Sequence, residues 1–419
     1  MKRNRHYVDI SKSVQRHLIE AARDDHPVRG LTHNYYRYPA RFSPTFVRAV
    51  IEAFTNPGDF ILDNHVGGGT SLVEALALGR NAVGVDISSL AEFVATVKTT
   101  VFGENELDDL SAWAQRLPLA VHVRNPSVHF PDYAANGYYK HLEHPSRWRL
   151  RKAIEQSLGS AIGLGSKRLE PFARCVVLRT AQWALDGRKN LPTIAEFRNM
   201  LSANAEQMII GARELAAAVG RHHKLPTIRV LNRSSAGLET DVFVTQLPPP
   251  KLVVTSPPYP GVHVLYHRWQ VDGRKEAPLP FMIANKLDGA GSSYYTMGDR
   301  KYPELKTYFD NIRATMSSVA AVADARTVIV QMVAFAEPSW QLPRYLETME
   351  EAGLREVKLS KLRGQQDGRL WRSVPSRRWY SDQRGDTPAS QEVVLIHRKS
   401  DDRSMRPRRQ LPTEARQYR

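Results

Sequence analysis

At 419 residues the chain is long enough for one large α/β domain with insertions or for two domains. Lysine and arginine outnumber aspartate and glutamate by 59 to 43, and the resulting net charge of +16 suits a polyanionic partner or, more blandly, a generically basic soluble protein. A single cysteine, Cys175, excludes an internal disulfide framework and a cysteine-rich metal site; no apolar run reaches membrane-spanning length and Met1 to His6 opens no signal peptide, so a cytoplasmic protein without membrane association is expected.

Residues 1–30 are polar and mixed in charge, with Ile10 to Ala22 weakly helical, and read as an arm. An aromatic, proline-bearing loop follows from His33 to Pro44 and contains Tyr38-Pro39-Ala40-Arg41-Phe42. Phe46, Val47, Val50, Ile51 and Phe54 then recur at helical spacing, Asn56 to Asp59 ends that helix, and Phe60 to Leu62 opens a strand. The strand runs into Asp63-Asn64-His65-Val66-Gly67-Gly68-Gly69-Thr70, a helix from Ser71 to Leu78, and a second strand, Ala82 to Val85, closed by Asp86. A glycine run alone is also a plain tight turn. Strand, glycine turn, helix, strand and terminal acid together form a nucleotide-binding βαβ unit, in which the glycines admit a ligand to the backbone and Asp86 reaches a ribose diol.

The stretch 101–225 reads as a mainly helical insertion, with a loop from Asn125 to Tyr139 and helices near Ser146–Leu158, Leu169–Leu185 and Thr193–His222. The first helix carries Arg147, Arg149, Arg151 and Lys152, which fit a solvated face first and the wall of a nucleic-acid cleft second. A glycine- and serine-bearing loop is expected at 159–168. Cys175 lies in the apolar helical run Phe172 to Leu178 and reads as a core residue rather than a nucleophile.

After a third strand near Ile228 to Ser234 comes Lys251-Leu252-Val253-Val254-Thr255-Ser256-Pro257-Pro258-Tyr259. Its unbroken apolar run is that of a strand buried on both faces of a parallel sheet, and the two prolines end the ladder. Ser256 and Tyr259 would therefore project into the crevice where open α/β sheets bind ligands. Such a loop suits attack by the exocyclic amine of a nucleobase, whose lone pair is delocalised into the ring. Hydrogen bonds from its N–H groups to the Ser256 hydroxyl and the Pro257 carbonyl favour a tetrahedral nitrogen, while Tyr259 stacks on the base. Alone, the tetrapeptide equally fits a rigid turn.

The glycine turn with Asp86, the loop at 38–42 and Thr255 to Tyr259 together resemble the motifs of the DNA amino-methyltransferases, especially the N4-cytosine branch, over roughly 31–100 and 225–398. The resemblance implies an α/β fold, a Rossmann-like, mostly parallel seven-stranded methyltransferase sheet with a helical insertion. It implies S-adenosylmethionine as cofactor, double-stranded DNA with a flipped target base as partner, and methyl transfer to cytosine N4. Adenine N6 in DNA or RNA, or a non-catalytic nucleic-acid-binding subunit, stay as alternatives, and a restriction endonuclease or defence-system partner stays open. By resemblance Tyr38, Pro39, Ala40 and Phe42 flank the cofactor, Asp63, Gly67, Gly69 and Thr70 hold its methionine end, and Asp86 holds its ribose. Ser256, Pro257, Pro258 and Tyr259 form the catalytic loop. Serine at 256, where adenine enzymes more often carry Asp or Asn, favours cytosine. Two departures stand out: Asn64-His65 replaces a usual proline and phenylalanine, with His65 read as a loop-packing residue, and the third strand lacks the acid that often contacts the adenine edge.

The catalytic half spans 226–399. Trp269 reads as a core residue, Tyr302 to Ala323 and Trp340 to Glu351 as helices, and Arg326 to Val333, Leu354 to Leu359 and Val393 to His397 as strands. Between the last two strands, 361–384 interleaves basic and aromatic residues, and Arg372, Arg377, Arg378 and Trp379 are expected to touch DNA. A β-hairpin whose aromatics cap the sheet is the other reading. The arginine-rich tail, 400–419, lacks apolar periodicity and reads as disordered.

Overall fold

A computed structural model describes residues 6–38, 42–261, 268–271, 275–289, 291–298, 302, 304–365, 367–373 and 391–400. The expectations for Pro39, Ala40, Arg377, Arg378, Trp379 and nearly all of the tail lie outside them. The strands are β1 (Phe60–Asp63), β2 (Asn81–Asp86), β3 (Ile228–Asn232), β4 (Leu252–Thr255), β5 (Trp269–Val271), β6 (Lys275–Ala277), β7 (Val328–Ala334), β8 (Leu354–Val357), β9 (Leu370–Ser373) and β10 (Gln391–Lys399). The main sheet runs β3-β2-β1-β4-β7-β10-β8, and β9 also pairs with β10. From β3 to β7 every neighbour is parallel, and β10 alone is antiparallel to the strands beside it. The long β10 gives one edge to β7 and divides the other between β9, at 391–394, and β8, at 396–399.

The central strands are apolar on both faces because both are covered. Ile61, Leu252, Val254 and Val330 pack towards α1 (Lys12–Arg23), α2 (Pro44–Phe54) and α3 (Thr70–Ala77). Their neighbours Leu62, Val253 and Ile329 pack on the opposite side against later helices of the chain. This alternation follows from the period of two along a strand, and it explains why β1, β4 and β7 read as continuous hydrophobic runs.

Helix α4 (Ser89–Thr99), which the sequence reading did not mark, links the sheet to the insertion: Ala95 faces the sheet core while Leu90, Val94 and Val97 face the helical core. The insertion contains α5 (Glu104–Ala120), α6 (Pro131–Ala135), α7 (Trp148–Ile162), α8 (Leu169–Leu185) and α9 (Ile194–Val219). The second of the expected helices is found with the expected bounds, whereas α7 continues to Ile162, into the first part of what read as a loop at 159–168. Cys175 is fully buried in α8, where burial pushes its thiol up to about 12. The short helices α10 (Leu279–Ala284) and α11 (Ser292–Tyr295) precede α12 (Lys306–Val322) and α13 (Pro338–Glu351), which cover the second face of the sheet. Trp269 is buried in the helical core and its indole N–H donates to the Tyr36 hydroxyl at 2.9 Å.

Residues 6–23 are integrated into the fold, in contrast to the expected arm. The Val8 amide donates to the Lys358 carbonyl and the Lys358 amide to the His6 carbonyl, each at 3.0 Å, while Leu18, Ala21 and Ala22 of α1 are buried beside α2. The amphipathic pattern of Lys12 to Arg23 is the signal: its apolar positions recur on one helical face.

Candidate active site

At the carboxyl ends of β1, β2 and β4 lies a cavity of about 930 Å3. It is lined, among others, by Tyr38, Phe42, Asp63, Gly67, Thr70, Asp86, Ser256 and Pro258. Eight residues singled out in three separated sequence segments therefore meet at one place, the crevice that a parallel α/β sheet leaves at its strand ends.

The glycine turn is held from below and from the side. Val66 donates its amide to the Val85 carbonyl at 3.0 Å, and the fully buried Lys98 donates to the Gly68 carbonyl at 2.7 Å. Gly67 has φ +46°, a left-handed conformation that glycine adopts without steric cost, and a side chain there would meet the Tyr38 ring at 3.2 Å. Gly69, expected at the methionine end of the cofactor, is not among the residues lining the cavity; it caps α3 and packs on Ala95, which a Cβ would approach to 2.9 Å.

Two carboxylates stand at the turn. Asp86 accepts the Gly67 amide through Oδ2 and the Ser88 amide through Oδ1, both at 2.9 Å, so each oxygen keeps a second lone pair for a further donor. Asp63 accepts the His65 amide at 3.1 Å through one oxygen and the Ser71 hydroxyl through the other. Burial pushes both carboxyls up to about 6.

Asn64 and His65 bring polar atoms to the same wall. The His65 Nδ1 lies 3.3 Å from the Thr255 hydroxyl, and burial pushes the imidazole down to about 3, so the ring is neutral at physiological pH. Its Nε2 and the Asn64 Oδ1 are buried and find no partner among the described residues. Sequence reading missed further parts of the wall, among them Ser234 and Ser235 just beyond β3, and Tyr294, Asn311 and Thr315 from α11 and α12. Serines immediately beyond a parallel strand were the available signal; the helical residues gave none.

The Ser256 hydroxyl is 3.1 Å from the Met332 carbonyl and 3.1 Å from the Tyr259 hydroxyl. Tyr259 does not line the cavity. Its ring belongs to the core beneath the loop, 4% exposed, and its hydroxyl donates to Glu392 at 2.7 Å. Pro257 is buried, and the Pro258 carbonyl accepts the Tyr308 hydroxyl at 2.7 Å.

The described part of the basic segment differs from the expected DNA contact surface. Arg372 is buried beside Glu392, with Nε 3.3 Å from Oε2, so it is no surface phosphate contact. Arg369 is likewise engaged, with Glu356 and Asp367. On α7, Lys152 donates to the Val123 carbonyl and the Arg149 guanidinium lies over Trp148, so that charge run is tied locally.

The strand order, the glycine turn after β1 and the acid closing β2 define a Rossmann-like methyltransferase fold. Residues 8–96 match a family model described as DNA methylase, of the N6/N4 methyltransferase type. The Type II methyltransferase M.MjaII of Methanocaldococcus jannaschii is 36% identical over 66 residues, 16% of this chain and 12% of that protein. M.BsoBI of Geobacillus stearothermophilus, also a Type II methyltransferase, is 33% identical over 106 residues, 25% of this chain and 20% of its own length. The chain thus spans a fifth or less of the length of these relatives. Among solved structures, the rRNA methyltransferase aviRa from Streptomyces viridochromogenes overlays with a TM-score of 0.30 at 9% identity, covering 87% of this chain and 89% of that one, too loose an overlay to carry weight.

S-adenosylmethionine is the cofactor that this fold and the matched segment imply, and the residues present fit it. The cavity is large enough, the bare glycine backbone admits close approach, and Asp86 retains acceptor capacity for a diol.

Proposed function

We propose that the protein is a DNA methyltransferase that moves a methyl group from S-adenosylmethionine to an exocyclic amine of a flipped-out base, the N4 amine of cytosine. One observation carries the reading: the Ser256 hydroxyl, anchored on a backbone carbonyl, opens into the same cavity as the glycine turn and Asp86. The matched DNA methylase segment and the net charge of +16 support DNA as the substrate.

The bound cofactor would supply an electrophilic methyl group on a sulfonium whose sulfur would leave with the bonding pair as a neutral thioether, and the methylated nitrogen would release one proton to solvent. The protein's part is positional and electrostatic. Asp86 and the turn fix the ribose end, and Tyr38 and Phe42 wall the cavity. With its proton directed to the Met332 carbonyl, Ser256 presents lone pairs that accept an amine N–H, which favours the tetrahedral nitrogen developing in the transition state. No covalent enzyme intermediate is required, and the buried Cys175 thiol is held protonated far from such a role. Serine at 256, rather than an acid or amide, supports cytosine as the target base.

The test is to incubate the protein with unmethylated DNA and cofactor, digest to nucleosides and identify the modified one by mass. N4-methylcytosine is the expected product. N6-methyladenine would move the target to adenine, and no modified nucleoside on DNA or RNA of varied sequence would remove the enzymatic reading.

A further inference from the structure

The buried acid on β10 that receives the Tyr259 hydroxyl does not line the cavity, and its other oxygen faces an equally buried arginine. Glu392 and Arg372 are direct partners in the β9–β10 ladder, both side chains 7% exposed. The line of contacts runs Arg372 Nε to Glu392 Oε2 at 3.3 Å, Glu392 Oε1 to the Tyr259 hydroxyl at 2.7 Å, and Tyr259 to Ser256 at 3.1 Å. It joins the outer edge of the sheet to the catalytic loop through side chains withdrawn from solvent.

We infer that Arg372 and Glu392 are positioning residues that set the direction of this chain of hydroxyls, and so hold Ser256 as an acceptor towards the cavity. The inference rests on Ser256 acting on an amine, as proposed above. A carboxylate only accepts, so the Tyr259 proton is committed to Glu392. The Tyr259 oxygen then faces Ser256 as an acceptor and cannot donate to it. Whichever oxygen the Ser256 proton chooses, Tyr259 or Met332, no donor among the described residues occupies the serine lone pairs. Arg372 favours the ionised, accepting form of the carboxylate through its charge 3.3 Å from the far oxygen, an ion pair without hydrogen-bond geometry, while the hydrogen bonds from Glu392 through Tyr259 to Ser256 polarise one another in series.

Glu392→Gln tests this. The amide turns its oxygen to Arg372 and its NH2 to Tyr259, which reverses the chain: Tyr259 now donates to Ser256 and fills a lone pair that the amine needs. Single-turnover methyl transfer should slow on the order of tenfold to a hundredfold, with cofactor and DNA affinity close to parental. Adding Tyr259→Phe removes the misdirected proton, so the double variant should transfer methyl about as fast as Tyr259→Phe alone. Losses that multiply in the double variant would overturn the inference and leave Glu392 a merely structural group. An independent readout needs no activity: a downfield hydroxyl proton resonance that disappears in Tyr259→Phe belongs to Tyr259 and should move upfield in Glu392→Gln. An unmoved resonance would also overturn the inference. A parent protein that methylates no base refutes the proposed function, and the resonance then decides the hydrogen-bond direction by itself.

Discussion

The Cβ of Tyr38 stands over the glycine turn so closely that a Cβ on Gly68 would lie 2.8 Å from it. The contact is with the root of the tyrosine side chain, which moves only with its backbone. Gly68→Ala should therefore displace the 36–38 segment, costing about 1–3 kcal/mol of stability as overpacking does, and weaken cofactor binding by moving one wall of the cavity. Thermal unfolding and calorimetric titration measure the two effects; an alanine variant with parental affinity would show that Tyr38 is not part of the cofactor wall.

Asp86 gives a pH dependence with a defined sign. Its carboxyl is raised to about 6 by burial, so the protonated form persists to higher pH than in the unfolded chain, and lowering the pH through about 6 neutralises the acceptor. Affinity for S-adenosylmethionine should hold from pH 8 to about 7 and fall below about 6. In Asp86→Asn the affinity should be lower throughout and the dependence flatter. Titrations across this range check it; a parental profile in the Asn variant would remove Asp86 as the titrating ligand.

Ser256→Ala should slow single-turnover methyl transfer by roughly a hundredfold, because one acceptor aimed at developing charge is lost, while the binding of cofactor and DNA changes little. Parental transfer by this variant would remove Ser256 from the mechanism.

Tyr259 behaves differently at the level of stability. Its ring is core, so Tyr259→Ala should cost on the order of 3–5 kcal/mol by leaving a cavity, whereas Tyr259→Phe keeps the packing. Urea denaturation distinguishes them, and equal stability of the two variants would place the ring outside the core.

The expectation that Arg377 and Arg378 touch DNA, which concerns residues outside the described ones, can be tested directly. Changing both to alanine should weaken DNA binding and flatten its salt dependence, by roughly one unit of log–log slope per lost phosphate contact. A slope equal to the parent's would leave this basic segment without a DNA role.

Much of this site was readable because its signals are local. The glycine turn needs backbone freedom at adjacent positions, the acid ends the next strand, and Pro257-Pro258 must stop a ladder; each is a short-range requirement written in consecutive residues. What escaped was long-range. Arg372 looked like a phosphate contact because its charge is visible and its neutraliser, Glu392, is set by a strand register that no local pattern reveals. Tyr259 looked like a stacking ring for the same reason, its acceptor lying 133 positions away. Helix α4 escaped because it is buried on two sides, towards the sheet and towards the insertion, and so lacks a clear polar stripe.

The pairing of residues 6–8 alongside Lys358 has a consequence for how the molecule meets its own copies. A mixed sheet that ends in an antiparallel strand offers a row of unused amides and carbonyls on which another polypeptide can polymerise. Here the chain lays residues 6–8 beside Lys358, just past the end of β8, and buries α1 below, so that this corner of the rim is covered. The segment that read as an arm thus closes one end of the sheet, and pulling it away would bare the Lys358 amide and carbonyl together with the apolar surface that α1 covers.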